Sequence, residues 1–516
     1  MKMKNIIALL VIISFTNCKK DYLEKLPQDT LPPELFYANG NNLKTGLLGI
    51  YDALQSQDNF GRLPDLDAIT DNGLHFRYET ELISFAQGIA NANVAQRFAT
   101  YYQASYQIIQ RANLLLDNIN APGNIVDADR NAIRAEARIL RAIAYMRLTY
   151  LYGDVPLLTK FTDLATIKTV NRTPKQTVVN FIITELKEAG DVLQITPRSN
   201  EKGRLTKQAA LAFRAKVFLY EARLGLKSWS ETLAAVNEAL VAANAANANL
   251  FTSATPTNGQ ANFEGLFALS NIDNREILFA VKNNDLDRAP NFYTFYAAGG
   301  GNLCISVHGN LVNDFYCVDG LPISTSPLYN SATPYSNRDP RLRASITTPG
   351  DTYSTGTQLL AFNGRTTIGV LQTNFAIKKL TTLNGLAQNQ GQLDIPLMRF
   401  ADLLLMQAEA ENEVNGPSTI AYAAINRVRA RAGIANVLSG LNKDNFREEV
   451  IHERRVEFAF EGQRWFDLVT LKIANQKINA VGELGRKFVP NQQELFPIPQ
   501  SEISLNPNLL PNNKGY

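Results

Sequence analysis

Residues 448–468 read EEVIHERRVEFAFEGQRWFDL, and this stretch carries the most informative pattern of the chain. Three carboxylates recur every four residues along it: Glu453, Glu457 and Glu461. On a helix that spacing places like charges on one face, where they repel unless cations intervene. Arg454 and Arg464 each stand three residues from one of these acids and can supply the cations. We therefore predict a structural ion-pair network that fastens the last helix pair, with Trp465 as a core residue.

The segments before this stretch have the apolar period of paired helices. Residues 395–414 (IPLMRFADLLLMQAEAENEV) predict one helix, and AYAAINRVRARAGI follows it past Gly416-Pro417. Two earlier pairs have the same form: residues 101–119 with 134–152, and the helix capped by Thr206 with the helix opened by Ser228. Their small residues, mostly Ala, indicate close helix packing of the kind found in tetratricopeptide repeats.

Three regimes divide the mature chain. We expect a mostly α fold, a degenerate tetratricopeptide-like helix-pair scaffold with an irregular lobe of loops, short strands and short helices inserted before the last helix pairs. The predicted boundaries are a signal peptide at 1–17, a linker at 18–41, helices at 42–250, the lobe at 251–394, and helices with a tail at 395–516. The last three ranges are expected to form one domain.

Composition argues for a globular protein and against nucleic acid as a partner. Hydrophobic residues make up 45% of the 516, and Lys+Arg 51 against Asp+Glu 48 gives a net charge of +3. Because positive and negative charges nearly balance, the protein has no strong positive potential that would attract the phosphates of a nucleic acid.

The first residues have the form of an export signal. Lys2 and Lys4 precede an apolar run from Ile6 to Phe15, which is too short to span a bilayer as a helix. Cys18 follows after two intervening residues, with a polar linker behind it, as at a bacterial lipoprotein cleavage site. We predict that Cys18 is the lipid attachment site, although Asn17 departs from the usual Gly, Ala or Ser. An ordinary secretory signal cut nearby is the alternative.

The other two cysteines, Cys304 and Cys317, have twelve residues between them, and the sequence leaves a disulfide and two unreactive thiols equally open. No CxxC motif is present, and His308 would complete only three ligands, so we expect neither a metal nor a cofactor. Asp65, Asp67 and Asp71 resemble a calcium loop only faintly, because their spacing does not fit an EF-hand.

Motifs of catalysis are missing from the sequence. It contains no phosphate-binding loop, no GxGxxG after a strand and no GxSxG elbow, and Val456 stands where HExxH requires its second histidine. The carboxylates of the 448–468 stretch suggest glycosidase chemistry only if they are free, and salt-bridged carboxylates are poor acids. We expect no enzymatic activity. A hydrolase with a perturbed carboxylate pair in a cleft remains the alternative.

Several motifs together resemble the SusD/RagB family in order, spacing and residue type. They are CKKDYLEKLPQDT at 18–30, RAEARILRAIAYMRLTYLYGDVPL at 134–157, DGLP at 319–322, RDPR at 338–341, the segments at 395–412, 424–433 and 448–468, and the ending LFPIPQSEISLNPNLLPNNKGY. This ordered set covers essentially the whole mature chain, which makes the resemblance specific.

The resemblance implies functions that residue spacing does not show. Proteins of this family are lipid-anchored at the outer membrane, face the exterior, and close like a lid over a SusC-like TonB-dependent transporter. Their ligands are usually glycans, and some relatives take peptides. The resemblance therefore implies nutrient capture, with an oligosaccharide or polysaccharide as the first expectation, a peptide as its rival, and a scaffold that binds only protein as a further alternative.

Glycan sites use flat aromatic faces for stacking and amide or carboxylate groups for hydroxyls. Both tryptophans, Trp229 and Trp465, lie in helical segments, so Tyr and Phe must provide the stacking. The family's contacts come from early loops and from the lobe. The positions that fit are Asp71, Asn72, Phe76, Tyr78, Phe292, Tyr293, Tyr296 and Tyr335.

Overall fold

The architecture is taken from a computed structural model of the chain. It describes residues 36–76, 80–93, 96–253, 258–283, 304–354, 359–363, 365–366, 369–370, 373–381, 393–482 and 485–516. Helices dominate, as the sequence predicted, and the strands are few and short.

The α-helices of the described residues are numbered in chain order. They are α1 (Leu43–Gln55), α2 (Pro64–Asp67), α3 (Thr80–Ala86), α4 (Gln96–Asp117), α5 (Asp127–Tyr152), α6 (Leu164–Ile167), α7 (Lys175–Val192), α8 (Lys207–Leu224), α9 (Trp229–Ala245), α10 (Gly259–Leu266), α11 (Gly309–Asp314), α12 (Arg341–Ser345), α13 (Phe400–Asn415), α14 (Thr419–Ala432), α15 (Lys443–Glu457), α16 (Arg464–Thr470), α17 (Ala474–Asn479) and α18 (Gln500–Leu505).

The strands of the described residues form two-stranded antiparallel sheets. They are β1 (Gly73–His75), β2 (Ile277–Val281), β3 (Ile305–Val307), β4 (Ile346–Thr347), β5 (Thr352–Ser354), β6 (Leu359–Ala361), β7 (Arg365–Thr366), β8 (Gly369–Val370), β9 (Ala376–Ile377) and β10 (Ile395–Arg399). The pairs are β1 with β3, β2 with β10, β4 with β9, β5 with β6, and β7 with β8.

The long helices stack in sequence order to form the scaffold. Helix α4 packs on α1 and α5, α7 packs on α5 and α8, and α9 packs on α8 and α13. Small residues allow the closest of these approaches, since a Cβ at Gly190 of α7 would lie 2.9 Å from the Cβ of Ala210 in α8. This is the degenerate tetratricopeptide-like arrangement that the Ala-rich helix pairs predicted.

Two local signals decide where helices begin. Ser228 and Glu231 form a capping box at the start of α9, as the position of Ser228 in the sequence suggests. The predicted helix at 395–414 is wrong in its first five residues, which form β10 and pair with β2. Pro396 lacks the N–H that a helix or a ladder needs, and the register shifts beside it.

The lobe joins the scaffold through the β2–β10 pair, and β10 leads directly into α13. A second, smaller hydrophobic core lies under the lobe and includes Ile305, Val307, Phe315, Ile346 and Ile377. Residues of the C-terminal stretch, Val456 and Phe460 among them, pack into this core as well. The 448–468 stretch therefore connects the lobe to the helices.

Trp465 is fully buried, as predicted, in a cluster of aromatic rings. Its ring centroid lies 5.5 Å from that of Phe85 and 5.8 Å from that of Phe496. Because Phe496 also lies 4.4 Å from Phe98, this cluster joins the chain's C-terminal tail to α3 and α4.

Candidate functional site

The candidate site is built on the β1–β3 pair, where a segment that follows α2 meets the lobe. Leu74 faces Ser306 in the register, and a Cβ at Gly73 would lie 3.0 Å from the carbonyl oxygen of Ser306. Glycine at position 73 therefore permits the two strands to approach closely. All six strand residues are buried, so the pair is a rigid base for the chain segments that extend from it.

One end of this pair leads into two segments that the sequence singled out. The N–H of Phe76, the residue after β1, donates to the carbonyl oxygen of Cys304, the residue before β3, at 3.0 Å. Antiparallel pairing thus brings Phe76, which precedes positions 77–79, beside Cys304, which follows positions 284–303. Four predicted contacts fall in those segments and lie outside the described residues: Tyr78, Phe292, Tyr293 and Tyr296. Phe76 itself is half-buried.

Tyr335 lies toward the opposite end of β3. Its ring contacts that of Phe375 edge to face, with centroids 6.2 Å apart and an interplanar angle of 87°. The carbonyl oxygen of Phe375 accepts the N–H of Val307, the last residue of β3. Tyr335 is half-buried, and burial raises the pKa of its hydroxyl, which keeps that group a neutral hydrogen-bond donor.

The structure adds Phe375 to the predicted aromatics. Sequence reasoning missed it because it stands in a stretch without helix period, and only the pairing of β3 with its neighbours brings it beside Tyr335. Tyr329 lies nearby, with the guanidinium of Arg338 5.8 Å from its ring centroid. Tyr335 and Phe375, with Tyr329 close to Tyr335, therefore form an aromatic group beside the Val307 end of β3.

Asp71 and Asn72 do not belong with these aromatics. Asp71 is 1% exposed and Asn72 is fully buried. Arg464 donates to both carboxylate oxygens of Asp71 at 2.8 and 2.9 Å, and Arg455 donates to the side-chain oxygen of Asn72 at 3.0 Å. Because these polar groups are already used inside the protein, we remove both residues from the candidate ligand contacts.

The three acids of the C-terminal stretch form the predicted ion-pair network, but with other partners. Glu457 accepts from Arg341, Arg399 and Arg431, and all four side chains are almost fully buried. Arg341 also donates to Glu453, while Arg399 and Lys379 donate to Glu461. The cations thus come from distant parts of the chain.

Arg454 and Arg464 form ion pairs with acids other than those that the sequence suggested. Arg454 pairs with Asp402 and Asp467, and Arg464 pairs with Asp71. The helix also ends at Glu457, so Glu461 lies beyond it in a turn where Phe460 has a φ of 64°. Four-residue spacing therefore identified the acids of the network correctly but could not identify their cations.

The pKa of Glu457 indicates that this network has a structural role. Burial alone raises the pKa of Glu457, but the guanidinium groups of Arg431, Arg399 and Arg341 bring it well below its usual range. A carboxylate held ionised in this way is a poor general acid. The paired acids of this stretch therefore give no support to glycosidase chemistry.

The acids that resembled a calcium loop are each engaged within the protein. Asp65 contacts His75 at 2.8 Å and accepts from Tyr101. Asp67 accepts the backbone N–H groups of Phe460 and Gly462, and burial raises its pKa to about 6. Among the described residues no group of three or more His, Cys, Asp or Glu side chains is arranged to hold a metal.

Cys304 and Cys317 are both buried and are not joined by a disulfide, which decides between the two possibilities that the sequence left open. Within the part of the chain that the structure describes, no helix combines the length and the apolar character that crossing a membrane requires.

Sequence models of known families match both halves of the chain. A model described as "SusD family" matches residues 275–516, and one described as "Starch-binding associating with outer membrane" matches residues 21–219. Together they include the candidate site, since β1 falls in the second range and β3 in the first.

Individual proteins show the same similarity. SusD-like protein P2 of Formosa agariphila is 28% identical over 546 residues, covering 100% of both chains. The starch-binding protein SusD of Bacteroides thetaiotaomicron is 24% identical, covering 81% of this chain and 78% of that one. A crystal structure of a SusD-like carbohydrate binding protein from Bacteroides fragilis, 22% identical, superimposes with a TM-score of 0.78, covering 92% of this chain and 99% of that one. This last likeness shows that the fold is shared.

Proposed function

The chain belongs to the SusD family, and from that premise we propose that it is a surface lipoprotein that binds an oligosaccharide or polysaccharide and delivers it to a SusC-like TonB-dependent transporter. In this proposal the protein holds its ligand and releases it unchanged. The observation that carries the proposal is the half-buried ring pair of Tyr335 and Phe375 beside the Val307 end of β3, within a fold that is shared with a protein named as carbohydrate binding.

The names of related proteins support a carbohydrate ligand. One matching model is described as starch-binding and as associating with the outer membrane, and a relative from Bacteroides thetaiotaomicron is named as starch-binding. The ligand of this chain is proposed at the level of class, a glycan, because identities of 22–28% leave the loops free to differ.

The proposed contacts are the aromatics along and beyond β3. Phe76, Tyr335 and Phe375 are described and half-buried, so that each leaves part of its ring accessible. Tyr78, Phe292, Tyr293 and Tyr296 remain proposals from the sequence. Tyr and Phe take this role because Trp465 is fully buried and Trp229 packs on the helical core. The burial of Trp465 also favours a peptide as the second candidate ligand, since sugar platforms most often use Trp.

The experiment is a binding screen of the purified mature protein, from residue 19 onward, against starch, other polysaccharides and a peptide library. Calorimetry and affinity electrophoresis supply the affinities. We expect saturable binding to one glycan class without turnover. Tyr335→Ala and Tyr293→Ala should each weaken that binding about fivefold or more, if a stacked sugar loses about as much as a nucleic-acid base, which loses about 1–3 kcal/mol when its aromatic partner is removed.

Phe161→Ala is the matched control. Phe161 is 49% exposed and lies on the helical scaffold, next to Asp117 at the end of α4, so its removal should leave affinity unchanged. Binding of peptides alone would replace the glycan by the second candidate. Hydrolysis of an oligosaccharide by the purified protein would contradict the proposal that the ligand is released unchanged.

A further inference from the structure

The loop that carries Tyr335 is held by a buried arginine, Arg338. Arg338 is 5% exposed, and every hydrogen bond that its guanidinium donates to a described residue goes to a main-chain carbonyl oxygen. Its Nη1 donates to the carbonyl oxygen of Pro334, the residue before Tyr335, at 2.8 Å. The N–H of Ser336 donates to the carbonyl oxygen of Thr333 at 3.0 Å, so Tyr335 lies within a tight turn, and Arg338 binds that turn directly.

Another edge of the same guanidinium binds the end of helix α11. Nε and Nη2 both donate to the carbonyl oxygen of Phe315, at 2.9 and 2.6 Å, and Nη2 also donates to that of Val312 at 2.6 Å. The last carbonyl groups of a helix have no donor within the helix, and Arg338 supplies one. Because α11 starts at Gly309, two residues after β3 ends at Val307, this edge of Arg338 binds a helix that continues from β3.

Phe375, the ring that Tyr335 contacts, is attached to β3 itself. The N–H of Val307 donates to the carbonyl oxygen of Phe375 at 3.2 Å, and the hydroxyl of Thr373 donates to the carbonyl oxygen of Val307 at 2.6 Å. The backbone of Phe375 is therefore fixed relative to β3, whereas Tyr335 belongs to the turn at 333–336. Arg338 connects that turn to the end of α11, and so it connects the supports of the two rings.

Main-chain hydrogen bonds close the base of this loop. The N–H of Val318 donates to the carbonyl oxygen of Asn337 at 2.9 Å, and the N–H of Asp339 donates to that of Tyr316 at 2.7 Å. These bonds fix the two points at which the loop leaves and rejoins the rest of the lobe. The bond from Arg338 to the turn adds a link beyond that base.

The guanidinium of arginine is suited to this link. It is planar and presents five N–H donors in a fixed fork, so one side chain can hold carbonyl oxygens at separate edges. A lysine ammonium donates from a single point, and it cannot bind the oxygens of Pro334 and Phe315 from two edges at once. The central carbon of the Arg338 guanidinium also lies 5.8 Å from the ring centroid of Tyr329, on the same loop.

We propose that Arg338 is a positioning residue of the ligand site, an inference that rests on the function proposed above. It holds the ring of Tyr335 edge to face against Phe375, and the ligand contacts the rings and not Arg338. A ring that is already in place costs less conformational freedom when a sugar stacks on it, so the fork of Arg338 raises the affinity without touching the sugar.

The first test needs no ligand and compares crystal structures of the full mature protein with those of Arg338→Gln and Arg338→Lys. In both variants the Tyr335 ring should leave its edge-to-face contact with Phe375, while β3 and α11 stay in place. Arg338→Lys keeps the charge and most of the apolar stem, so it serves if Arg338→Gln does not fold. A Tyr335 ring that keeps its position in the variants would overturn the proposal, whether or not the protein binds a glycan.

The second test is a double-mutant cycle on affinity, with the polysaccharide that the wild type binds in the screen, starch being tried first. Arg338→Lys should weaken binding about threefold or more, a part of the about fivefold or larger loss expected when the Tyr335 ring is removed. In the Tyr335→Ala background the same substitution should change affinity less than about twofold, because the ring through which it acts is gone.

Arg214→Gln is the matched control. Arg214 lies on α8, donates to Glu238 at 2.8 Å and has a side chain that is only 16% exposed, so its replacement should leave affinity unchanged. A loss of affinity from Arg338→Lys that is equal with and without the Tyr335 ring would show a general structural role and contradict the proposal. Wild-type affinity in Arg338→Lys would contradict it too. A wild type that binds no polysaccharide would remove the proposed glycan function, and the crystal structures would still decide whether Arg338 positions Tyr335.

Discussion

At the scale of single residues, Gly259 and Gly49 show how a Gly→Ala substitution can lower or raise the stability of the fold. A Cβ at Gly259, the first residue of α10, would lie 1.7 Å from the carbonyl oxygen of Ala432 at the end of α14. A Cβ at Gly49, inside α1, would contact nothing within 4 Å. The first glycine is therefore required by packing, whereas the second only adds freedom to the unfolded chain.

We predict that Gly259→Ala lowers the free energy of unfolding by about 1–3 kcal/mol or more, because α10 must move away from α14. Gly49→Ala should raise it by about 0.5–1 kcal/mol, the usual gain from replacing glycine within a helix. Urea unfolding monitored by circular dichroism measures both. Equal effects from the two substitutions would show that the approach at Gly259 does not constrain the fold.

His308 predicts a dependence of stability on pH. Burial, together with the charges of Arg486 and Arg455, lowers the pKa of His308 to about 3, while Asp71 opposes this shift. The unfolded chain binds a proton here near pH 6.5 and the folded chain does not, so stability is lost as the pH falls from about 6.5 toward 3. The loss attributable to this residue between pH 7 and pH 5 is about 2 kcal/mol.

His308→Gln should remove that part of the loss, and the comparison of urea unfolding at pH 7 and pH 5 measures it. Asp67 titrates in the opposite sense, because its pKa is raised to about 6 and its protonation stabilises the folded state as the pH falls. The difference between variant and wild type isolates His308 from this effect. A variant whose stability falls as steeply as that of the wild type would contradict the assignment.

At the scale of elements, helix α15 depends on its buried ion pairs. Glu457→Gln leaves Arg341, Arg399 and Arg431 without the carboxylate that they share. Removing one partner of a buried network costs about 3–5 kcal/mol, and we expect a loss of that size. Glu448→Gln on the same helix is the control, since Glu448 is exposed and its loss should stay within about 0.5 kcal/mol. A loss below 1 kcal/mol for Glu457→Gln would show that water replaces the missing charge.

The elements also show what the sequence can and cannot predict. Apolar period and caps located the helices, Ser228 at the start of α9 among them, because those signals act within a few residues. The sequence predicts a helix at Ile395–Arg399, where the structure has a strand, because the partner of that strand, β2, lies more than a hundred residues away. No local pattern predicts that Phe375 contacts Tyr335, or that Arg464 engages Asp71, which the sequence suggested as a ligand contact, because these partners stand far apart along the chain.

At the scale of the whole molecule, both halves of the chain contribute to one folded unit. Asp67 accepts backbone N–H groups from residues 460 and 462, and Asp71 pairs with Arg464. The principal hydrophobic core also contains residues from both halves, Leu66 and Trp465 among them. The segment that carries β1, on which we propose the ligand site, is therefore held in place by contacts with the C-terminal stretch.

In our proposal, acylation of Cys18 anchors the protein at the outer membrane. Acylation of Cys18 would attach the domain through a linker that ends near α1, and a single substitution tests this. We expect Cys18→Ser to move the protein from the outer-membrane fraction to the soluble fraction and to abolish incorporation of labelled palmitate. Asn17→Gly is the matched control, because it brings the cleavage site closer to the usual pattern and should keep the label.

Protease treatment of intact cells should degrade the wild type, since the proposal places it on the exterior. Membrane retention of Cys18→Ser, without label, would instead indicate that a partner in the outer membrane holds the protein there.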